Sequence, residues 1–335
     1  MIRRTHWGMR WMVLPEFDPL FAAVLASNGE VVKKTSVTTV TRHEACGRVF
    51  YVKRYRHAAK LLAPTKYLFR RANSQREWKL APRLQGLGVR VVPHLAHGER
   101  WSWRGLLESA LLTEGLTGFS PLKGRADLDA PALQQALGAS MRRMHDAGVL
   151  YLDLAPQNVL YSPGTGELCL IDVNRVSVRP RQSLQARVDN LVLLQARMPL
   201  TAAFYEGYGK EFAGRAGEIA RQAQAKREWV MRRLSGRWDK HTHDLVEKRS
   251  GELRWRVRHA HDDPKLAPVL EDPERFLGHA AEGFFVQRFG FARARRAFRE
   301  AYYRELMGKG GPRPVAVGEQ RALGICLRSY FVSTA

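Results

Sequence analysis

The chain has 335 residues, 45% of them apolar, so it can bury a sizeable core in one large domain or two smaller ones; this excludes a disordered polymer. Its formal charge of +23 calls for an anionic partner, whether nucleic acid, an acidic membrane face or a phosphorylated glycolipid, and fixes only the sign of that partner. Cys46, Cys169 and Cys326 are odd in number, far apart and without C-x-x-C spacing, which argues against a disulfide framework or a zinc site and for a reducing compartment.

Met1-Ile2-Arg3-Arg4 begins like the basic end of a signal peptide, but Pro15, Glu16, Asp18 and Pro19 interrupt any apolar core behind it. No run of about 18 apolar residues occurs, so the expectation is a soluble or peripheral protein. Asp18 to Ala26 predicts a short helix closed by Asn28-Gly29. From Glu30 the pattern turns to β: Val31-Val32, Val37 to Val40 and Val49 to Val52 predict three antiparallel strands, with Gly47 turning the chain before the third.

Lys53 closes that third strand. A lysine at a strand end, beside Arg54 and Arg56, is ordinarily a solvated charge. Val-Phe-Tyr-Val-Lys is also the strand-borne lysine pattern of a nucleotide-binding lobe, where the ammonium meets phosphate oxygens and pairs with a helix carboxylate. A helix over Ser74 to Leu87 follows, with Ser74-x-x-Glu77 reading as a capping box. Glu77 is either the partner of Lys53 or a capping residue alone. The basic loop from Arg56 to Arg71 is a solvated surface or part of a substrate-facing wall. A strand from Arg104 to Glu114 ends at Glu114-Gly115, where a hinge between two lobes would expose backbone groups to an adenine. Pro131 to Ala147 predicts a helix with Leu133, Leu137, Met141 and Met144 on one face. His145, near its end, reads as a helix-end charge rather than a catalyst.

The densest signal lies between Val149 and Arg175. Asp153 and Asn158 stand five positions apart in a loop that Pro156 keeps out of helix. Asn158-Val-Leu-Tyr predicts a short strand, Ser162 to Gly166 a turn, and Leu168 to Ile171 a second strand delivering Asp172. Asp-x-x-x-x-Asn alone is common, and an ordinary hairpin with polar ends accounts for it. Joined to the hairpin and a terminal Asp, it points to a protein-kinase-like fold. Asp153 would accept a proton from a substrate hydroxyl, and Asn158 and Asp172 would offer hard oxygen ligands to Mg²⁺.

Beyond Arg179 the pattern reads as helical and basic. Val188 to Met198 is an apolar helix stopped by Pro199, and Asp189 near its start is a helix-end charge or a brace for the Asp153 loop. Arg215 to Arg258 holds 13 Lys/Arg against 6 Asp/Glu, with Trp229, Trp238 and Trp255 interleaved. Such a stretch suits phosphates or anionic headgroups, and equally a solvated face with tryptophans in the core. Residues 264 to 278 read as a connector and Glu282 to Met307 as a last helical stretch.

With Lys53, Glu77, Asp153, Asn158 and Asp172 in place, the sequence resembles the lipopolysaccharide kinase family, the Kdo and core-heptose kinases of Gram-negative bacteria. The resemblance covers about residues 17 to 205. It runs through Phe17-Asp18, Tyr51-Val-Lys53-Arg-Tyr55, Arg76-Glu77-Trp78, Leu87-Gly88-Val89, Thr113-Glu114-Gly115-Leu116, Asp153 to Asn158 and Ile171-Asp172-Val-Asn174-Arg175. The Asp-x-Asn-Arg ending is closer to this family than to the Asp-Phe-Gly of protein kinases, and no Ala-Pro-Glu follows. The family usually carries His two residues before the catalytic Asp, where this chain has Tyr151. No glycine-rich loop is present.

The resemblance implies an α+β, bilobal protein-kinase-like fold, with a small antiparallel β N-lobe, a mainly helical C-lobe and a basic helical C-terminal extension. The expected divisions are 1–27, an N-terminal segment; 28–115, the nucleotide-binding lobe; 116–235, the catalytic lobe; and 236–335, the extension. It implies a kinase using ATP and Mg²⁺ to phosphorylate a sugar hydroxyl, on Kdo or heptose, of lipopolysaccharide core or a similar anionic glycolipid. Asp153 would be the catalytic base, Lys53, Glu77, Glu114, Asn158 and Asp172 the nucleotide-site residues, and Asn158 and Asp172 the metal ligands. The expected place is cytoplasmic and peripheral at the inner membrane, against an anionic surface and not on nucleic acid. Two other readings stay open: a kinase-shaped basic adaptor in which Tyr151 marks lost catalysis, and a small-molecule kinase of the same fold. The second would call for an acidic cleft, where this chain is basic.

Overall fold

The computed structural model describes residues 1–57, 65–68, 71–238, 245–278, 280–281 and 283–334. Most of the basic loop between Arg56 and Arg71 lies outside them. The chain divides into two compact units, Met1–Ala223 and Gln224–Ala335. Among the described residues no helix is long and apolar enough to cross a membrane.

The first unit opens with β1 (Ile2–His6), β2 (Met9–Val13), α1 (Asp18–Ala26), β3 (Glu30–Lys34), β4 (Thr38–Ala45), β5 (Arg48–Arg56), α2 (Asn73–Gly86), β6 (His94–Ser102) and β7 (Gly105–Glu114). Their strands make one seven-stranded antiparallel sheet in the order β1-β2-β6-β7-β5-β4-β3. Residues 1–27, set apart on sequence, are therefore built into the N-lobe. Met9, Trp11 and Val13 alternate inward and pack with Phe17, Phe21 and Val24 of the α1 segment and with Phe50 and Val52 of β5. The odd positions of β5, Lys53 and Tyr55, turn to the opposite face and meet α2.

The rest of this unit comprises β8 (Ser120–Pro121), α3 (Pro131–Asp146), β9 (Val149–Tyr151), β10 (Val159–Ser162), β11 (Glu167–Leu170), β12 (Val176–Val178), α4 (Leu184–Gln195), α5 (Ala202–Tyr208) and the start of α6 (Ala216–Ser235). Leu133, Leu137, Met141 and Met144 form the buried stripe of α3, as their spacing predicts. His145 departs from its reading as a helix-end charge. It is fully buried, hydrogen-bonded to Tyr208 Oη at 2.7 Å and Asn190 Oδ1 at 3.0 Å, and burial pushes its pKa down to about 4. A small antiparallel sheet lobe carried on a helical lobe makes this unit α+β, bilobal and protein-kinase-like.

The second unit corrects the expectation of a helical extension. It contains β13 (Leu245–Ser250), β14 (Leu253–Arg258), α7 (Ala267–Glu271), β15 (Ala280–Ala281), β16 (Phe284–Gly290), α8 (Arg293–Leu306), β17 (Pro314–Ala322) and β18 (Ile325–Thr334). The strands form a six-stranded antiparallel sheet, β13-β14-β17-β18-β16-β15. The predicted helix from Glu282 to Met307 is thus a strand followed by a helix. Arginine content misleads here, because Trp255 and Val257 alternate with Arg254, Arg256 and Arg258, which is the period of a strand and not of a helix. Trp255 and Val257 face a core with Val269, Val286 and Val332, while Trp238, Phe298, Val317 and Phe331 form a smaller cluster. Trp229, by contrast, is exposed, with Lys226 and Arg233 against its ring.

Candidate active site

Three segments converge at the end of β5. The inward stripe of α2 consists of Ser74, Glu77, Ala81 and Leu84, so that a carboxylate occupies a core-facing position. Glu77 is buried, and its Oε1 accepts from Lys53 Nζ at 3.2 Å, Tyr55 Oη at 2.9 Å and Asn174 Nδ2 at 3.2 Å. The capping-box reading is corrected by this arrangement: the N-cap of α2 is Ala72, and Ser74 meets His97 Nε2 at 3.3 Å instead. Lys53 Nζ also lies 2.8 Å from Asp172 Oδ1, and Asn174 Nδ2 donates to that same oxygen at 2.6 Å. One ammonium thus joins strand, helix and the post-hairpin loop.

The electrostatics of the cluster follow from burial and sign. Burial alone would lower the Lys53 pKa, but facing Glu77 and Asp172 outweigh it and hold the ammonium above its ordinary value. Burial would raise the Glu77 carboxyl, yet Lys53 and the surrounding donors hold it below the usual range. Asp172 goes the other way: burial and the charge of Glu77 push it up, against the pull of Lys53. A half-buried carboxyl pushed upward beside a second carboxylate is a place where an added cation relieves a penalty.

Asp172 sits in the left-handed region, φ 58° and ψ 44°, a conformation that Asp tolerates better than bulky residues. Three ties hold it there. Ile171 N–H donates to Asn158 O at 3.0 Å across the β10–β11 hairpin, and Tyr151 Oη donates to the carbonyls of Ile171 and Asp172 at 2.7 and 2.9 Å. Strand β9 pairs with β12 beyond, Tyr151 opposite Val176. Tyr151, where the resembling family usually has His, therefore braces the loop bearing Asp172. Burial pushes its phenol pKa up, so it stays a donor.

The Asp153 loop is tied to the same frame. Asn158 Nδ2 donates to the Asp153 carbonyl at 3.1 Å, directing the amide N–H back into the loop. Asn190 Nδ2 donates to Tyr151 O at 2.8 Å, and Arg197 Nη1 to Leu154 O at 2.9 Å. The brace from α4 is thus Asn190, not Asp189, which accepts from Gln185 on the helix surface. The Asp153 carboxylate is half-exposed, with Arg197 at 3.5 Å and Arg175 at 3.8 Å from its two oxygens. Sequence reading missed Tyr55, Asn174, Asn190 and Arg197 as members of the site. Tyr55 stands two residues past Lys53 on the same side of β5, and that spacing was the available signal, whereas Asn174 follows Asp172 through a left-handed residue into a short helical turn, where strand spacing does not apply. Asn190 comes from α4 and Arg197 from the turn just beyond its end, and no local pattern reports their contact with the loop.

Glu114 ends β7, and its carboxylate pairs with Arg48. Its own N–H donates to Pro93 O at 3.0 Å and that of Gly115 to Val49 O at 2.8 Å, so neither of these two donors is left for a base at this hinge. Cys169 is buried, its thiol pushed up to about 12, and packs as a small apolar residue.

The residues present fit a magnesium nucleotide. Among the described residues no three His, Cys, Asp or Glu side chains cluster as a metal cage. Mg²⁺ in nucleotide sites typically takes only one or two protein oxygens, the remainder coming from phosphates and water. Asp172 with Asn158 answers to that, and Lys53 to the phosphates.

No curated protein matches the sequence. Among solved structures the chain is similar to WaaP in complex with acyl carrier protein, at 24% identity and a TM-score of 0.46 over 65% of this chain and 99% of that one. It is also similar to an aminoglycoside-3'-phosphotransferase of type VIII, at 19% identity and a TM-score of 0.43 over 63% and 99%. The profile of the lipopolysaccharide kinase (Kdo/WaaP) family matches residues 23–212, more than half of the chain and the whole of the site just described. By that match the chain belongs to the lipopolysaccharide kinase (Kdo/WaaP) family and is a kinase.

Proposed function

We propose that this kinase transfers the γ-phosphoryl group of ATP to a sugar hydroxyl, on Kdo or heptose, of lipopolysaccharide core or a closely similar anionic glycolipid, at the cytoplasmic face of the inner membrane. The observation that carries the reading is the single ammonium of Lys53 set between Glu77 and Asp172, at 3.2 and 2.8 Å. Such a lysine, held by a helix carboxylate and adjoining a loop carboxylate, is the arrangement phosphoryl transfer needs for its phosphates and metal.

Asp153 orients the acceptor hydroxyl and takes its proton. As that proton leaves, the acceptor oxygen bonds to the γ-phosphorus and the bond from that phosphorus to the bridging oxygen of ADP breaks. Asn158 and Asp172 would hold Mg²⁺, whose charge would offset that of the phosphates. Lys53 contacts the phosphates, and Glu77 with Tyr55 and Asn174 keeps its ammonium aimed. Arg175 and Arg197, beside Asp153, bring positive charge to an anionic acceptor and suit a phosphorylated or carboxylated sugar better than a cationic one. Tyr151, by bracing the Asp172 loop, supports a working site over an inactive adaptor.

The test incubates purified protein with Mg²⁺-ATP and lipopolysaccharide core, intact or deacylated, and follows phosphate incorporation in wild type and Asp153→Asn. Loss of a positioned general base should lower turnover by about 10²–10⁴ while ATP still binds. Equal incorporation in the two proteins, or none with any glycan acceptor, refutes the assignment.

A further inference from the structure

One end of the C-terminal sheet is built against the usual preferences of an exposed turn. Ala322 and Ile325 pair across a two-residue loop, Leu323-Gly324, in which both residues have positive φ, 50° and 81°. Turns of that kind favour Asn, Asp or Gly at both places, because a branched apolar side chain is strained there. This one has a leucine, fully exposed to solvent. Ile325 and Leu327 follow on one side of β18, 61% and 51% exposed, while Cys326 between them is buried. The strand registers bring a second apolar turn to the same end. Gly290 pairs with Arg328, and the next residue, Phe291, is again at positive φ and 68% exposed.

Around these apolar tips the surface is cationic. Arg249 and Arg254 lie directly opposite each other on β13 and β14, both exposed, and neither has an ion-pair partner among the described residues. Like charges facing across a strand pair repel, so the pair weakens the sheet in water and gains only when an anion sits between them. The next residue across the sheet from Arg254 is Glu319, but its carboxylate is held bidentately by Arg295 at 2.7 and 2.8 Å and by Arg321 at 3.2 Å. The result is a cavity of about 480 Å³ with six basic side chains against two acidic ones. A second hollow reaches from Arg249 and Arg254 to Leu327 at the hairpin.

We propose that this end of the sheet docks on an anionic lipid surface, with Leu323, Ile325 and Phe291 entering the apolar layer and Arg249 and Arg254 taking headgroup phosphates. Exposed apolar side chains at strained turns, beside two arginines without an ion-pair partner among the described residues, are complementary to the two layers of such a surface and to no aqueous anion. The proposal rests on the glycolipid reading only for the occasion of meeting a membrane. Its test needs no turnover.

The experiment is flotation of the full chain with phosphatidylcholine vesicles, with and without phosphatidylglycerol. Wild type should float with the anionic vesicles. Leu323→Asn makes the turn Asn-Gly, which such hairpins prefer, so thermal stability should hold or rise while partition falls roughly tenfold, the worth of one buried leucine. Arg249→Gln with Arg254→Gln should remove the phosphatidylglycerol dependence, about fivefold per arginine. Arg221→Gln with Arg227→Gln, exposed on α6 outside the cavity, serves as the control for diffuse charge. Unchanged flotation of Leu323→Asn, or an equal loss in the α6 control, overturns the proposal. So does a wild type that stays off all vesicles, including one in which Leu323→Asn alters only self-association, since the tip would then serve a second copy. Phosphate transfer to a soluble deacylated acceptor, measured in parallel, separates a failed membrane surface from a failed kinase assignment.

Discussion

In the N-terminal sheet Trp11 lies opposite Gly98, and in the C-terminal sheet Trp255 lies opposite Gly318. At both glycines an added Cβ would come within 2.6 Å of the indole ring. Both sheets therefore seat a buried tryptophan on a cross-strand glycine on their core side, and they differ in what the other face does with charge. In the first, Lys53 is met by Glu77 and Asp172, and Glu77 by three donors, so the charges are compensated inside the protein. In the second, Arg249 and Arg254 face each other at the surface with no ion-pair partner among the described residues. Compensated buried charge makes a rigid site that suffers when a member is removed. Uncompensated surface charge leaves the fold nearly indifferent and makes the partner supply the missing sign.

The sharpest way to break this contrast is Glu77→Gln. Turnover should fall about 100-fold, as for loss of one preorganised electrostatic group. Unfolding free energy should fall by about 2–3 kcal/mol, less than for a fully buried pair because Lys53 keeps 20% of its side chain in solvent. Denaturant midpoints and steady-state rates measure the two. A variant as stable as wild type would mean that Glu77 is not compensated in the way described.

Acid should separate the units next. His97 and His145 are buried in the first unit, and burial lowers each pKa to about 4. In the unfolded chain they protonate near about 6.5. Between those values the unfolded state binds more protons, so their contribution is complete above the upper value and is lost as pH falls toward the lower one. Each histidine accounts for up to about 3 kcal/mol over that window. In the second unit Glu319 is held below its ordinary value against burial by Arg295, and that contribution is lost only at lower pH, as the carboxylate protonates. Melting followed by hydrogen exchange from neutral to mildly acidic pH should show residues 1–223 losing protection first. Simultaneous loss would contradict it.

The smallest expected effect tests what the sheets share. Gly98→Ala and Gly318→Ala should each destabilise their own unit by about 1–3 kcal/mol, through overpacking against the ring rather than backbone strain. Pairing each with Trp11→Leu or Trp255→Leu should recover part of the loss in a double-mutant cycle. Only Gly98→Ala should weaken ATP binding.

The hairpin between Asp153 and Asp172 was legible as a hairpin because its information is local. Asp153, Asn158 and Asp172 lie within twenty positions, and a proline, a turn and two apolar runs are enough to set their strands. Lys53 was legible from a β-branched strand, and the α3 stripe from its spacing. The same logic failed where charge obscured periodicity. Leu245 to Arg258 alternates about Ser250-Gly251-Glu252 like a hairpin, yet its arginines suggested helix.

What the sequence alone determined is therefore the set of chemical groups and the class of lobe that carries them, since both follow from short-range pattern. Tertiary structure decided which of those groups act together. Asn174 and Tyr55 share the carboxylate of Glu77, Asn190 holds the Asp153 loop, and β14 finds β17 some sixty residues later, Arg254 beside Glu319. Such pairings are chosen by the burial of whole faces and by closure of long loops, which no window of neighbouring residues encodes.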